Sequence, residues 1–193
     1  MISLKHLFIH LLLFVSFSLS SQGQINWYTW EEGMAKSQEE NKKLIVDLYT
    51  DWCGWCKRMD KVTFQNPDIA AYINEHYIAI KFDAEQKGEI TYNDVTYEFI
   101  NSGRRGYHAL AAKLTSGKLS YPTVIFLDEK KELIQALPGF LDAETFAPVI
   151  TYFANNMYLT TPWATYLRKY QSSDYQNDSQ YKKINHTRLV KGQ

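Results

Sequence analysis

Short apolar runs alternate with amphipathic stretches along most of this chain. Thr29-Trp30-Glu31-Glu32 has the form of a capping box, a Thr three residues before a Glu. It predicts a helix over 30–40 with Trp30, Met34 and Ala35 turned inward. Leu44-Ile45-Val46-Asp47-Leu48-Tyr49 is nearly continuous in apolar residues, the pattern of a strand buried on both faces. Asp47 is its one polar break. Residues 57–62 read as helical. Asn66-Pro67 reads as an N-cap followed by Pro at the first helical position, and the helix it opens carries Ile69, Tyr72 and Ile73 on one face. Tyr77 to Phe82 is a second apolar strand, with Lys81 as its one charge. Residues 89–99 alternate about Asn93-Asp94, two residues that tolerate the left-handed backbone of a tight hairpin. A loop over 101–106 and a short helix over 107–114 follow. Thr123 to Leu127 is a third buried strand and Leu133 to Leu137 a fourth, close enough to pair as an antiparallel hairpin. Asp142 caps a helix with Phe146, Val149, Ile150 and Phe153 on one face. Thr161-Pro162 starts another, with Trp163, Tyr166, Leu167 and Tyr170 at helical spacing and packing on the body. Beyond about 171 the polar composition predicts a loosely ordered tail.

This order of elements predicts an α/β fold, a central mixed sheet flanked by helices. A β-hairpin insert over about 86–105 and a C-terminal extension over 156–193 are added to a domain over 24–155. Residues 1–23 stand apart. A basic start at Lys5, an apolar run from Leu7 to Leu19 and then small residues read as a secretory signal peptide rather than a membrane span, which needs roughly 20 apolar residues. An uncleaved anchor is the alternative. Cleavage after Ser20 or Gly23 would leave a periplasmic or secreted protein, in a compartment where disulfides persist.

Composition narrows the function. The chain has 193 residues, 45% of them hydrophobic, which excludes a disordered chain. Lys plus Arg and Asp plus Glu are 21 each. That balance argues against a nucleic-acid partner, for which a basic excess is usual. The only two cysteines are Cys53 and Cys56, so a multi-disulfide scaffold is excluded. They sit three apart where a buried strand gives way to a helix. A helix start presents unpaired N–H groups and a positive dipole end, which stabilise a thiolate there. Cys53 is therefore the expected attacking thiolate, with its sulfur near the surface, and Cys56 the resolving one. A zinc site would need about four ligands, and His76, His108 and His186 lack ligand spacing to the pair. No metal and no other cofactor is expected. A structural disulfide closing so small a loop would contribute little loop-closure entropy.

Trp52-Cys53-Gly54-Trp55-Cys56-Lys57 resembles the active-site motif of the thioredoxin superfamily, with Trp55 where thioredoxin has proline. Asp47 resembles that family's buried acidic residue, Lys81 its lysine partner, and Tyr121-Pro122-Thr123 its cis-proline loop. Within the superfamily, Asp47 to Cys53, Thr63-Phe64-Gln65-Asn66-Pro67 and Gly139 to Phe146 are similar to the C-terminal domain of the transmembrane thiol:disulfide interchange reductase. The resemblance covers about 43–153 without the insert. It implies a thioredoxin-like fold and catalysis by Cys53 and Cys56. Asp47 would take the proton of Cys56 as it attacks, or serve as a core carboxylate paired with Lys81. Trp52 and Trp55 would rim a substrate site, and the Tyr121 to Thr123 backbone would pair with a substrate strand. Arg104 and Arg105 are expected in a solvated loop, with recognition of an acidic partner as the alternative.

The implied activity is reduction of disulfides in exported proteins, with electrons supplied by a separate membrane or soluble donor. A disulfide oxidase or isomerase would use the same residues, and a non-catalytic binding module would use the fold alone.

Overall fold

In the computed structural model, residues 23–103 and 105–172 are described. The expected signal segment up to residue 22, Arg104, His186 and the tail after 172 lie outside the described residues.

The chain folds as β1 (Trp27–Tyr28), α1 (Trp30–Glu40), β2 (Lys43–Tyr49), α2 (Gly54–Met59), a π-helical turn (Asp60–Phe64), α3 (Pro67–His76) and β3 (Tyr77–Asp83). The insert follows as two small hairpins, β4 (Ile90–Tyr92) with β5 (Val95–Tyr97) and β6 (Phe99–Ile100) with β7 (Tyr107–His108). Then come α4 (Ala109–Leu114), β8 (Thr123–Leu127), β9 (Leu133–Pro138), α5 (Ala143–Ala154), a 3-10 turn (Met157–Leu159) and α6 (Trp163–Gln171). The sheet order is β1-β3-β2-β8-β9. β1 and β2 pair parallel with β3, while β8 runs antiparallel to both β2 and β9. The sheet is mixed and helices cover both faces, as the sequence pattern predicts.

Strand alternation sorts the core into two clusters. Leu44, Val46 and Leu48 of β2 face Trp30 of α1 and Leu110 and Leu114 of α4, together with Ile90 and Tyr92 of the insert. Ile45 faces the opposite way, towards Ile69 and Ile73 of α3 and Phe146 and Ile150 of α5. Phe126 stacks on Phe153 in this second cluster, ring centroids 4.4 Å apart. Asp47 alternates onto the same side as Ile45.

Local signals set the helix starts. Thr29 Oγ1 accepts from Glu32 N, and the Glu32 carboxylate accepts from Thr29 N, the reciprocal capping box. Asn66 Oδ1 accepts from the N–H groups of Asp68 and Ile69. Asn93 and Asp94 both have positive φ, 51° and 60°, as the tight turn between β4 and β5 needs.

Four details differ from expectation. β1 is too short to leave a periodic trace in the sequence, yet it forms the sheet edge. On α1 the inward positions are Trp30, Gly33 and Ser37; Met34 is half-buried and Ala35 is exposed. Helix begins at Gly54 rather than Lys57, because Cys53 itself is the N-cap. Tyr107 and His108 extend as a strand against Phe99 and Ile100, so the next helix starts at Ala109. Its cap is His108, whose Nδ1 accepts from Leu110 N. At the other end of the chain, α6 packs on α5 through buried Tyr166 and Tyr170, while Trp163 stays partly exposed against Tyr152.

Candidate active site

β2 ends at Tyr49, a tight turn follows, and Cys53 stands at the head of α2. Cys53 and Cys56 form a disulfide. Cys53 Sγ also accepts the backbone N–H of Cys56 at 3.0 Å, the bond a side-chain N-cap makes. The sulfur is therefore turned over the helix start, and the surface position expected for it is not found: Cys53 is 5% exposed and Cys56 3%.

The π-helical turn continues α2 by one wide turn, closed by Gln65 N donating to Asp60 O. Its register carries Thr63 and Phe64 inward, and Thr63 Oγ1 donates to Leu141 O at 2.6 Å. The same turn brings the Asp60 side chain to Lys81. Asp47 and Lys81 are direct register partners across β2 and β3. Lys81 Nζ donates to Asp47 Oδ2 at 2.6 Å and also to Asp60 Oδ1. One ammonium thus serves two carboxylates. Asp47 is the buried one, 2% exposed. Burial pushes its pKa up to about 6 against the opposing pull of Lys81. Burial works the other way on Lys81, but Asp47 and Asp60 outweigh it and raise the lysine above its ordinary value. Lys81 and Asp60 line a cleft of about 320 Å³, with Trp27 and Phe64 on its walls.

Aromatic rings flank the disulfide on two sides, and both expected tryptophans are open to solvent. Trp52 is 51% exposed and Trp55 60%. Trp52 Nε1 donates to Glu85 Oε1 at 2.9 Å, and Tyr121 meets its ring edge-on at 6.0 Å. Trp55 lies 5.4 Å from Phe140. The Tyr121–Pro122 peptide bond is cis. Thr123 is paired in register with Leu48 of β2, so the Tyr121-Pro122 segment meets the chain where β2 runs towards Cys53. Pro122 O accepts from Gly139 N.

Sequence reasoning missed Asp60, Glu85 and Phe140. Asp60 reaches Lys81 through the π-helical turn, which leaves no spacing signal, and Glu85 and Phe140 carry none either. Arg105, expected in a solvated loop or against an acidic partner, lies with its guanidinium carbon 4.1 Å from the centroid of the Trp52 ring. A cavity of about 740 Å³ lies between β9, α5 and α6, and neither cysteine lines it.

Comparison with known proteins places this geometry. The family model described as "Thioredox_DsbH: Protein of unknown function, DUF255" matches residues 17–145, more than half of the chain. The chain belongs to this family. It is 30% identical over 84 residues to an uncharacterised protein of Caenorhabditis elegans, spanning 43% of this chain and 12% of that one. It is 29% identical over 119 residues to the thiol:disulfide interchange protein DsbD of Escherichia coli K12, spanning 61% of this chain and 18% of DsbD. The chain thus corresponds to less than a fifth of either relative. A thioredoxin-fold protein from Helicobacter pylori superposes with a TM-score of 0.50 at 18% identity, covering 67% of this chain and 80% of that one. The Thioredox_DsbH domain here is a thioredoxin-like, DsbD-related domain, and its fold is that of disulfide oxidoreductases with a Cys-x-x-Cys pair at 53 and 56.

Proposed function

We propose that the chain is an exported thiol–disulfide oxidoreductase that reduces disulfides of extracytoplasmic proteins. The observation that carries this reading is Cys53 as N-cap of α2, disulfide-bonded to Cys56, just beyond the strand whose buried Asp47 is held near pKa 6. In the reduced protein, the Cys56 N–H that reaches Cys53 Sγ stabilises a thiolate. That thiolate attacks one sulfur of the substrate disulfide, forming a mixed disulfide and expelling the other substrate sulfur as a thiolate. Cys56 then attacks Cys53 Sγ, with its proton passing to ionised Asp47. The second substrate thiol leaves, and the Cys53–Cys56 disulfide holds the two oxidising equivalents. A separate dithiol donor returns the two electrons. Trp52, Tyr121, Trp55 and Phe140 form the apolar walls of the substrate site, and the Tyr121 to Thr123 backbone receives a substrate strand.

The deciding measurement is the reduction potential of the Cys53–Cys56 pair in graded thiol–disulfide buffers. A value below about −230 mV, near the thioredoxin end of the range, is expected of a reductase. A value above about −180 mV overturns the reductive direction in favour of an oxidase or isomerase. A pair that does not cycle, or a Cys53→Ser variant that keeps full biological function, leaves only a binding module.

A further inference from the structure

The insert departs from the body after β3 and returns to it at α4. Its loop between β6 and β7 brings Arg105 back to the mouth of the active site. The guanidinium lies over the face of Trp52, 4.1 Å from the ring centroid, and Trp52 immediately precedes Cys53. The ring is fixed on its other edges by Glu85 and Tyr121. It therefore serves as a platform that sets where the guanidinium stands. Stacking uses the flat face of an arginine and leaves its N–H donors at the edge unspent. Among the described residues Arg105 has no ion pair, and it is exposed.

The surrounding acids are largely committed elsewhere. Glu85 accepts from Trp52, and Asp83 accepts from the Glu85 backbone N–H at 2.9 Å. Asp51, next to Trp52 in the chain, is exposed. Lys57 and Arg58 add positive charge beyond the disulfide, with Arg58 over Phe140 at 5.7 Å. What stands free on the ring that precedes Cys53 is a planar cation with a carboxylate-matching fork.

We propose that Arg105 is a specificity-determining residue: it receives a carboxylate that flanks the attacked cysteine on a polypeptide substrate. The proposal rests on the oxidoreductase reading. The insert would then select among disulfides presented to the same cysteine pair, favouring segments with Asp or Glu next to the disulfide. An exposed ion pair is weak and a bidentate charge-assisted one stronger, so a discrimination of about threefold to tenfold is expected.

The test uses the full chain, reduced and mixed with two peptide disulfides that differ only in Glu or Lys beside the cysteine. The second-order rate constant for oxidation of the protein is followed by thiol trapping at low ionic strength. The Glu-to-Lys rate ratio is expected to fall about threefold or more in Arg105→Ala and to invert further in Arg105→Glu. Raised salt should shrink the effect. Rates with uncharged hydroxyethyl disulfide, and the reduction potential, should stay at wild-type values in both variants. A ratio unchanged in Arg105→Glu overturns the proposal, as does an equal loss with all three substrates, which would mark Arg105 as merely supporting Trp52. If wild type fails even with hydroxyethyl disulfide, the oxidoreductase reading itself falls, and the selectivity with it.

Discussion

Asp47 is placed where a carboxylate is expensive. It sits in mid-strand between apolar neighbours, and Oδ1 has no hydrogen-bond partner among the described residues. Lys81 compensates only in part, because it is shared with Asp60. The consequence has a definite sign. A carboxyl whose pKa is about 6 in the fold and near 3.8 when exposed binds more protons folded than unfolded between those values. Its full stability is present below about pH 4 and is lost as pH rises through 6. Asp47→Asn should therefore stabilise the oxidised protein by about 3 kcal/mol at pH 8, at about 1.4 kcal/mol per pKa unit, with the gain vanishing near pH 4. Urea unfolding at the two pH values checks this, and a variant less stable than wild type at pH 8 refutes it. Asp47 and Lys81 were both legible in the sequence as lone polar breaks in apolar strands. Asp60 was not, because its role depends on a π-helical turn, and the extra residue of such a turn leaves no periodic mark. The seat of Arg105 on Trp52 was illegible for a related reason: a loop residue's neighbours are set by where the loop lands.

At the scale of elements, the helix pattern of α1 shows what periodicity can and cannot tell. Hydrophobic spacing pointed Met34 and Ala35 at the core. The helix instead turns Gly33 and Ser37 inward, because β3 passes close by and leaves room only for a hydrogen at position 33. A Cβ built on Gly33 would collide with the side chain of Ile80, which is itself fully buried. Ser37 can be buried because its hydroxyl donates to Lys42 O at 2.6 Å. Hydrophobicity scales rank glycine and serine as poor core residues, so a close approach of backbones is invisible to them. Propensity alone makes Gly33→Ala favourable by up to about 1 kcal/mol. Overpacking against Ile80 costs typically 1–3 kcal/mol. The expected net effect is destabilisation by about 1 kcal/mol, visible as a lower denaturation midpoint with an unchanged m-value. Ala35→Gly, on the exposed face, should also cost about 1 kcal/mol. A Gly33→Ala protein more stable than wild type would show that α1 stands further from β3 than described.

For the molecule as a whole, the question is how a 20-residue insert is held so that it presents Arg105 at the site. Two anchors do this. Ile90 and Tyr92 enter the same core cluster as Trp30 and Leu48, with Tyr92 OH donating to Lys131 O at 2.6 Å. The second is His108, fully buried where the insert rejoins the body. Its backbone N–H donates to Ala84 O, its Nδ1 accepts from Leu110 N, and its Nε2 lies 2.9 Å from Gly88 O. An Nδ1 that accepts carries no proton, so the ring is neutral and Nε2–H donates to Gly88. One imidazole thus ties the start of the insert to its end and caps α4. Burial lowers its pKa below the ordinary 6.5, against the opposing effects of the Gly88 carbonyl and Glu31. The unfolded chain consequently binds the proton first as pH falls, so this contribution is complete above about pH 6.5 and is lost as pH drops through the folded value. Protonation also puts a hydrogen on Nδ1, facing the Leu110 N–H it had accepted. Amide hydrogen exchange should therefore report loss of protection at Leu110 and across 88–108 between pH 7 and pH 5, ahead of the sheet amides of β2 and β8, once rates are corrected for intrinsic pH dependence. His108→Gln, which does not titrate, should remove that pH dependence while lowering insert protection at pH 7. Equal loss in the insert and in the sheet would mean that His108 is not the clasp, and that the insert opens only with the whole domain.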